Sequence, residues 1–290
     1  MSQISETLIG EEKNKKRQRG VQTARAASKP AAPQVKGLYI GTSGWVYKGW
    51  AGEFYPADLP DNKRLEYYAQ QFGSVEINAS FYRLPSEKMV QGWHDKAPEG
   101  FIYAVKGSRY ITQMKKLNVT PESIAIFFER IGPLQEHLGP ILWQLPPNLH
   151  LDLPRLENFL KQLPRRFRHA FEFRHPSWCN QEVYALLKKH DAAWVSVSSQ
   201  RMPMDLTVTT DFIYIRFHGL ENGAAHDYTR AELAPWAEHC RSATLRNHLK
   251  AYAYFNNDWN VRAPKNAKEL QEMIAEGVDR RCFRPKEQAG

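Results

Sequence analysis

From residue 38 onward, short apolar runs recur at intervals that leave room for a helix between them. They are LYIGTSGW (38–45), SVEINASF (74–81), FIYAVKGS (101–108), ILWQLPP (141–147), HAFEFRH (169–175), AAWVSVSS (192–199), FIYIRFHG (212–219) and AYAYFNND (251–258). Their length and their β-branched and aromatic content predict strands. Between them lie stretches of helical character: KRLEYYAQQF from Lys63, SEKMVQGWHDK from Ser86, PESIAIFFERIGPLQEHL from Pro121, LPRLENFLKQL from Leu153, NQEVYALLKKH from Asn180 and RAELAPWAEHCRSATLRNHLK from Arg230. A last helix, NAKELQEMIAE, is expected from Asn266. Ser86-Glu87 and Thr120-Pro121-Glu122 carry start signals, a capping hydroxyl followed by an acid or a proline in the first turn. Strands alternating with helices pair in parallel through right-handed crossovers. Eight such units in about 250 residues predict an α/β fold, a single (β/α)8 TIM-like barrel, over residues 37–280. The sixth unit is irregular, because SQRMPMDLTVTTD (199–211) offers no good helix. The alternative is an open doubly wound sheet, which places a GxGxxG phosphate fingerprint after its first strand. GTSGW (41–45) is not that fingerprint, so no nucleotide cofactor is expected.

In a barrel, alternate strand positions face the axis and the shell. On the second strand Glu76, Asn78 and Ser80 share one parity, and Val75 and Ile77 the other. The third strand contributes Lys106, the fourth Gln144, and the fifth Glu172 and Arg174, opposite Phe171 and Phe173. On the seventh, Tyr214, Arg216 and His218 alternate with Ile213, Ile215 and Phe217. Asn256, Asn257 and Asp258 end the eighth and cannot all face inward. Charged groups from several strands are thus expected to converge near the carboxyl ends, where barrel enzymes keep their active sites. A single mid-strand charge reads best as a structural ion pair, but several converging charges are costly to bury unless they serve a ligand.

Glu76 and Glu172 against Lys106, Arg174 and Arg216 leave one positive charge in excess, which an anionic ligand would balance. Glu76, Glu172 and His218 are therefore the candidates for acid/base catalysis. Lys106, Arg174 and Arg216 would hold the anion, and Asn78, Gln144, Tyr228, Asn256 and Asn257 would orient the substrate. A Schiff base on Lys106 ranks low beside such charged neighbours. No metal is expected, because three cations are poor company for a divalent ion. The first βα loop, GTSGWVYKGWAGEFYP (41–56), carries Trp45, Tyr47, Trp50, Phe54 and Tyr55. These aromatics, like Trp178 and the FNND-W run, either stack on a sugar or base at the rim or tuck over the barrel mouth.

Composition adds limits. With 42% hydrophobic residues in 290 and no apolar run long enough to span a bilayer, the expected class is a globular protein of the cytoplasm with no membrane partner. Cys179, Cys240 and Cys282 form no CxxC pair, and reduced thiols are expected. Much of the +9 net charge lies in residues 1–36, where eight basic residues face three acidic ones. That segment, with almost nothing apolar to bury, is expected to be a disordered basic tail, either a solubilising extension or an arm that touches nucleic acid. A short C-terminal tail is expected over 281–290.

These residues also resemble a known family. GTSGW with a following FYP, VEINASFYRLP, FIYAVKGSRYIT, LWQLPP, EFRHPSW, IRFHG and YFNND with a downstream NA pair are similar to the YecE-like family, domain of unknown function 72, in order from about residue 38 to 277. The resemblance implies a TIM barrel with a polar pocket at the carboxyl ends of its strands, and carries no reaction with it. It also implies a histidine after Thr112, where this chain has Gln113. Three functions follow as expectations. The first is a hydrolase or isomerase acting on an anionic substrate, a phosphorylated sugar or a nucleotide-like molecule. The second is a nucleic-acid-binding or nuclease-like barrel using the basic tail and the aromatic rim, and the third is a non-catalytic ligand sensor.

Overall fold

Alternation along the strands sorts the side chains into two concentric cores. The computed structural model describes residues 35–282, with side chains to residue 276. Eight strands, β1 (Leu38–Thr42), β2 (Ser74–Ile77), β3 (Ile102–Lys106), β4 (Leu138–Gln144), β5 (His169–Glu172), β6 (Ala192–Ser199), β7 (Phe212–Gly219) and β8 (Lys250–Phe255), form one parallel sheet in the order β1-β8-β7-β6-β5-β4-β3-β2. Val75, Ile77, Phe171, Phe173, Ile213, Ile215 and Phe217 pack outward with helix residues such as Phe127, Phe159, Leu187 and Trp236. Ala104, Leu142, Ala170, Ala193, Val195, Tyr214, Tyr252 and Tyr254 fill the lumen instead. A barrel of this size is plugged by its own side chains, so only its polar upper layer is left for chemistry.

β1 and β2 flank the seam where the sheet comes around on itself. There the hydroxyl of Tyr68, fully buried, takes the place of ladder bonds. It accepts from the Thr42 amide at 2.8 Å, contacts the Thr42 hydroxyl at 2.9 Å and donates to the Ser74 carbonyl at 3.2 Å. The strands approach so closely that a Cβ on Gly41 would stand 2.0 Å from the Ser74 carbonyl oxygen. Glycine at that position of GTSGW is a steric requirement of the seam.

The helices follow the start signals. They are α1 (Arg64–Ala69), α2 (Ala79–Tyr82), α3 (Glu87–His94), α4 (Pro121–Ile131), α5 (Leu153–Gln162), α6 (Gln181–Lys189), α7 (Arg230–Arg241) and α8 (Arg262–Cys282). Ser86, Asp152 and Asn180 accept amide hydrogens at three N-termini, and Thr229 with Glu232 closes a capping box on α7. The helix expected from Pro121 ends at Ile131, and residues 132–137 tighten into a 3-10 turn at Gly132-Pro133. α8 begins four residues before Asn266. The sixth unit has no helix between Ser199 and Phe212, as its composition predicts. In its place the Thr209 hydroxyl accepts from the Trp194 amide at 2.8 Å and donates to the Ala192 carbonyl at 2.6 Å, which pins the connection against β6. No helix among the described residues is long and apolar enough to cross a membrane. Most of the basic segment, residues 1–34, and residues 283–290 lie outside the described residues.

Candidate functional site

Arg216, on the inward parity of β7, is the hub of the polar layer. Its guanidinium is almost wholly buried and lies between two carboxylates. Nε and Nη2 donate to the two oxygens of Glu76 at 3.0 and 2.7 Å, and Nη1 donates to Glu172 at 2.6 Å and to Gln144 Oε1 at 3.3 Å. The Ser43 and Tyr214 hydroxyls complete the shell of Glu76, at 2.8 and 2.7 Å. The other oxygen of Glu172 pairs with Arg174 and meets His218 Nε2 at 3.0 Å. Each carboxylate oxygen therefore already accepts at least one bond. Burial alone would raise both carboxyl pKa values, yet Arg216 beside Glu76, and Arg174 with Arg216 beside Glu172, hold both below the ordinary range. The two acids do not separate into one protonated and one ionised partner, as acid/base division of labour would need.

His218 is pushed down to about 4 by burial, against the pull of Glu172. Its Nε2 stands 3.0 Å both from Glu172, which only accepts, and from Arg174 Nη2, which only donates, so the neutral ring serves one of the two at a time, while Nδ1 lies 3.3 Å from Asn256 Nδ2. Lys106 differs from the rest. Its Nζ lies over the Phe81 ring, 4.1 Å from the centroid, and among the described residues no hydrogen bond or ion pair holds it. Burial and the nearby Arg216 depress it to about 8. Asn78 donates to the Ser43 carbonyl at 3.3 Å, while its Oδ1 is buried without a donor.

The fold thus gathers Glu76, Glu172, Arg174, Arg216, His218, Gln144, Asn256, Lys106 and Asn78 at the carboxyl end of the barrel. Two expected members are elsewhere. Tyr228 is buried among Ser198 and Gly219, its hydroxyl meeting Ser198 Oγ at 2.8 Å and the Gly219 amide at 3.0 Å. Asn257 faces away from Asn256 and ties the His226 carbonyl to Asn266, at 2.8 Å each. Both brace the chain between β7, α8 and the loop after β8. Most of the first-loop aromatics tuck inward: Trp50 and Tyr55 are buried and Tyr47 stacks on Trp50 at 4.8 Å. Trp178 is buried as well.

Sequence reasoning missed three contributors. Ser43 and Tyr214 complete the shell of Glu76, and the inward parity of β7 already marks Tyr214. Asp258 accepts from Trp50 Nε1 at 2.8 Å, and burial pushes it up to about 6. Gln113, where the resemblance implies histidine, donates to the Gln144 carbonyl at 2.7 Å and steadies that strand end. At the same end of the barrel Tyr82 and Trp259 stand 70% and 65% exposed, on the connections that follow β2 and β8.

Comparison with known proteins agrees with this architecture. The family described as "Protein of unknown function DUF72" matches residues 39–289. YecE of Escherichia coli K12, described as a UPF0759 protein, is 30% identical over 142 residues, and the match spans 49% of this chain and 50% of that protein's length. YunF of Bacillus subtilis, also UPF0759, is 24% identical over 271 residues, 82% of this chain and 94% of its own. A crystal structure of a DUF72 family protein from Thermotoga maritima superposes with a TM-score of 0.73 at 30% identity, covering 82% of this chain and 98% of that one. One from Enterococcus faecalis V583 reaches 0.68 at 20% identity, over 82% and 95% of the two chains, a likeness of fold. With the match running over nearly the whole described barrel, the chain belongs to the DUF72 family of YecE-like proteins.

Proposed function

We propose that this protein is an enzyme that takes a small anionic substrate, a phosphorylated sugar or a nucleotide-like molecule, at the carboxyl end of the barrel. Lys106 carries the reading: a half-buried ammonium that, among the described residues, has only the face of Phe81 against it and no hydrogen bond or ion pair. Lys106 and the partly exposed Arg174 hold the anion. Arg216 is engaged on both sides by carboxylates and serves as the strut that keeps Glu172, Arg174 and His218 in place. The unfilled Asn78 Oδ1 takes a substrate hydroxyl, and Asn256 orients the His218 ring. Of the expected catalytic groups, Glu76 is enclosed by four donors and acts through Arg216. Glu172 and His218 remain the pair that faces the substrate, and Asp258, titrating near 6, supplies the carboxyl best matched to proton transfer near neutral pH.

Thermal denaturation with inorganic phosphate, sugar phosphates and nucleoside monophosphates tests this. A binding phosphate ester raises the Tm of the parent protein, and Lys106→Met and Arg174→Met remove that rise while both variants stay folded. Ligand-induced shifts of equal size in parent and Lys106→Met would overturn the reading.

The exposed Tyr82 and Trp259 favour a second reading, in which the rim stacks on the bases of a nucleic-acid strand. Steep weakening of oligonucleotide binding by salt, together with its loss in Tyr82→Ala and Trp259→Ala, would select it over a small-molecule site.

A further inference from the structure

At the opposite end of the barrel, three potential metal ligands meet where no function has been placed. His94 ends α3, and Glu136 and His137 lie in the turn that leads into β4. Their ligand atoms all lie within 4.8 Å of one another. His94 Nε2 stands 3.5 Å from one oxygen of Glu136, and His137 Nε2 stands 3.9 Å from the other. The two imidazoles cross edge to face, with centroids 5.2 Å apart.

The second nitrogen of each ring shows what the first is free to do. His137 Nδ1 contacts the Phe101 carbonyl at 2.7 Å, and a carbonyl only accepts, so that nitrogen carries the proton and Nε2 presents its lone pair. His94 Nδ1 lies 3.2 Å from the Asp95 carboxylate, which only accepts, and 3.3 Å from the Gln91 amide nitrogen, which only donates and is already bonded to Asp95 at 2.7 Å; the tautomer protonated at Nδ1 keeps the Asp95 bond and presents the Nε2 lone pair. Metal-binding histidines are typically held this way, by a carbonyl or carboxylate on the nitrogen that does not coordinate. His94 Nε2 is shielded from solvent yet makes no hydrogen bond, and the buried His137 turns its Nε2 toward the same carboxylate. Gln135 adopts φ 48°, ψ −120°, a left-handed conformation unusual outside glycine, and so turns the chain that presents Glu136 and His137.

We propose that His94, Glu136 and His137 form a zinc site that clips the end of α3 to the start of β4. Two neutral imidazoles and one carboxylate make a donor set suited to zinc, with a water in the fourth position. Tetrahedral zinc with bonds of about 2.0–2.1 Å sets its ligands about 3.3 Å apart. Closure of the triad therefore needs the ligand atoms to draw together by at most about 1.5 Å, and Glu136, on the exposed side of the triad, is free to move. Barrel enzymes keep their chemistry at the other end, and residues at this face serve stability. The clip lies away from the anion site, and its occupancy is independent of that site.

The test uses tag-free, full-length protein stripped with chelator. Isothermal titration with Zn2+ gives one tight site per chain, and Co2+ gives the intense visible absorption of a tetrahedral centre. Loss of an outer-shell partner costs metal sites about 10–100-fold in affinity. His94→Gln and Glu136→Gln each remove a direct ligand and so weaken Zn2+ binding by at least that range. Glu136 is mostly exposed, so Glu136→Gln keeps the fold, which its unchanged Tm without metal verifies. Zinc raises the Tm of the parent and not of either variant. Equal zinc affinity in parent and both variants, or no zinc binding by the parent at millimolar concentration, overturns the proposal.

Discussion

Replacing Arg216 with methionine tests the hub of the polar layer. The side chain is almost fully buried and spans 3.0 and 2.7 Å to Glu76 and 2.6 Å to Glu172. Arg216→Met removes the cation and leaves both carboxylates in place. Breaking one side of a buried ion pair costs about 3–5 kcal/mol, and here Glu76 loses both of its guanidinium bonds while Glu172 keeps its pair with Arg174, so a penalty within that range applies at pH 8. Against a total stability of about 5–15 kcal/mol, this is a large fraction. The pH dependence separates electrostatics from lost packing. In the parent both folded carboxyl pKa values are lowered, so their contribution is present above the unfolded value and is lost as pH falls through the folded ones. Without Arg216, burial raises the folded value of Glu76, whose largest opposing charge is gone, while Arg174 still holds Glu172 down. The variant's penalty is then full at high pH and shrinks as Glu76 takes up a proton. Urea denaturation followed by tryptophan fluorescence should show a wide gap between parent and variant at pH 8 that narrows at pH 5. A gap of the same size at both pH values, or one below about 1 kcal/mol, would refute the reasoning.

Two further outcomes follow from the same structure. Tyr68→Phe leaves the Thr42 amide and the Ser74 carbonyl unsatisfied at the seam, and thermal unfolding should register a loss of about 1–3 kcal/mol; an unchanged Tm would mean that water replaces the hydroxyl. Lys106→Met should raise stability at neutral pH, because the folded pKa of Lys106, about 8, lies below its ordinary 10.5. The cost of burying the ammonium is full below pH 8 and fades as pH rises toward 10.5. Denaturation midpoints of parent and variant should therefore converge in that interval, and a less stable Lys106→Met at pH 7 would contradict it.

Strand parity was legible wherever a strand kept its alternation to the end. FIYIRFHG reads correctly over its full length, because β7 runs unbroken from Phe212 to Gly219 and its inward residues reach the mouth. SVEINASF reads correctly only as far as Ile77. There Asn78 turns to helical backbone and residues 79–82 form α2, so Ser80 donates to the Lys106 carbonyl instead of facing the axis. Adjacent Asn256 and Asn257 could not be told apart by period alone, since the strand ends at Phe255 and the loop decides which amide turns inward. Tyr228 was misplaced for a similar reason: it lies between a short turn and α7, where no periodicity reports direction. The metal-like triad escaped because His94 and Glu136-His137 are far apart in sequence, and only the floor of the barrel brings them together.

The charge count led to the expectation of a net-positive site, but it could not show that Arg216 is engaged by its own carboxylates. That competition depends on distances of 2.6–3.0 Å between strands β2, β5 and β7. On the proposed function, Lys106 and the partly exposed Arg174 are then the cations that meet the ligand, and of the two Lys106 has no ion pair among the described residues. The most direct measurement is therefore an NMR titration of Lys106 in lysine-labelled protein, assigned with Lys106→Met and repeated with phosphate. The account predicts a midpoint near 8 that moves upward when the anion binds. A midpoint at the ordinary value of 10.5, unmoved by phosphate, would contradict it.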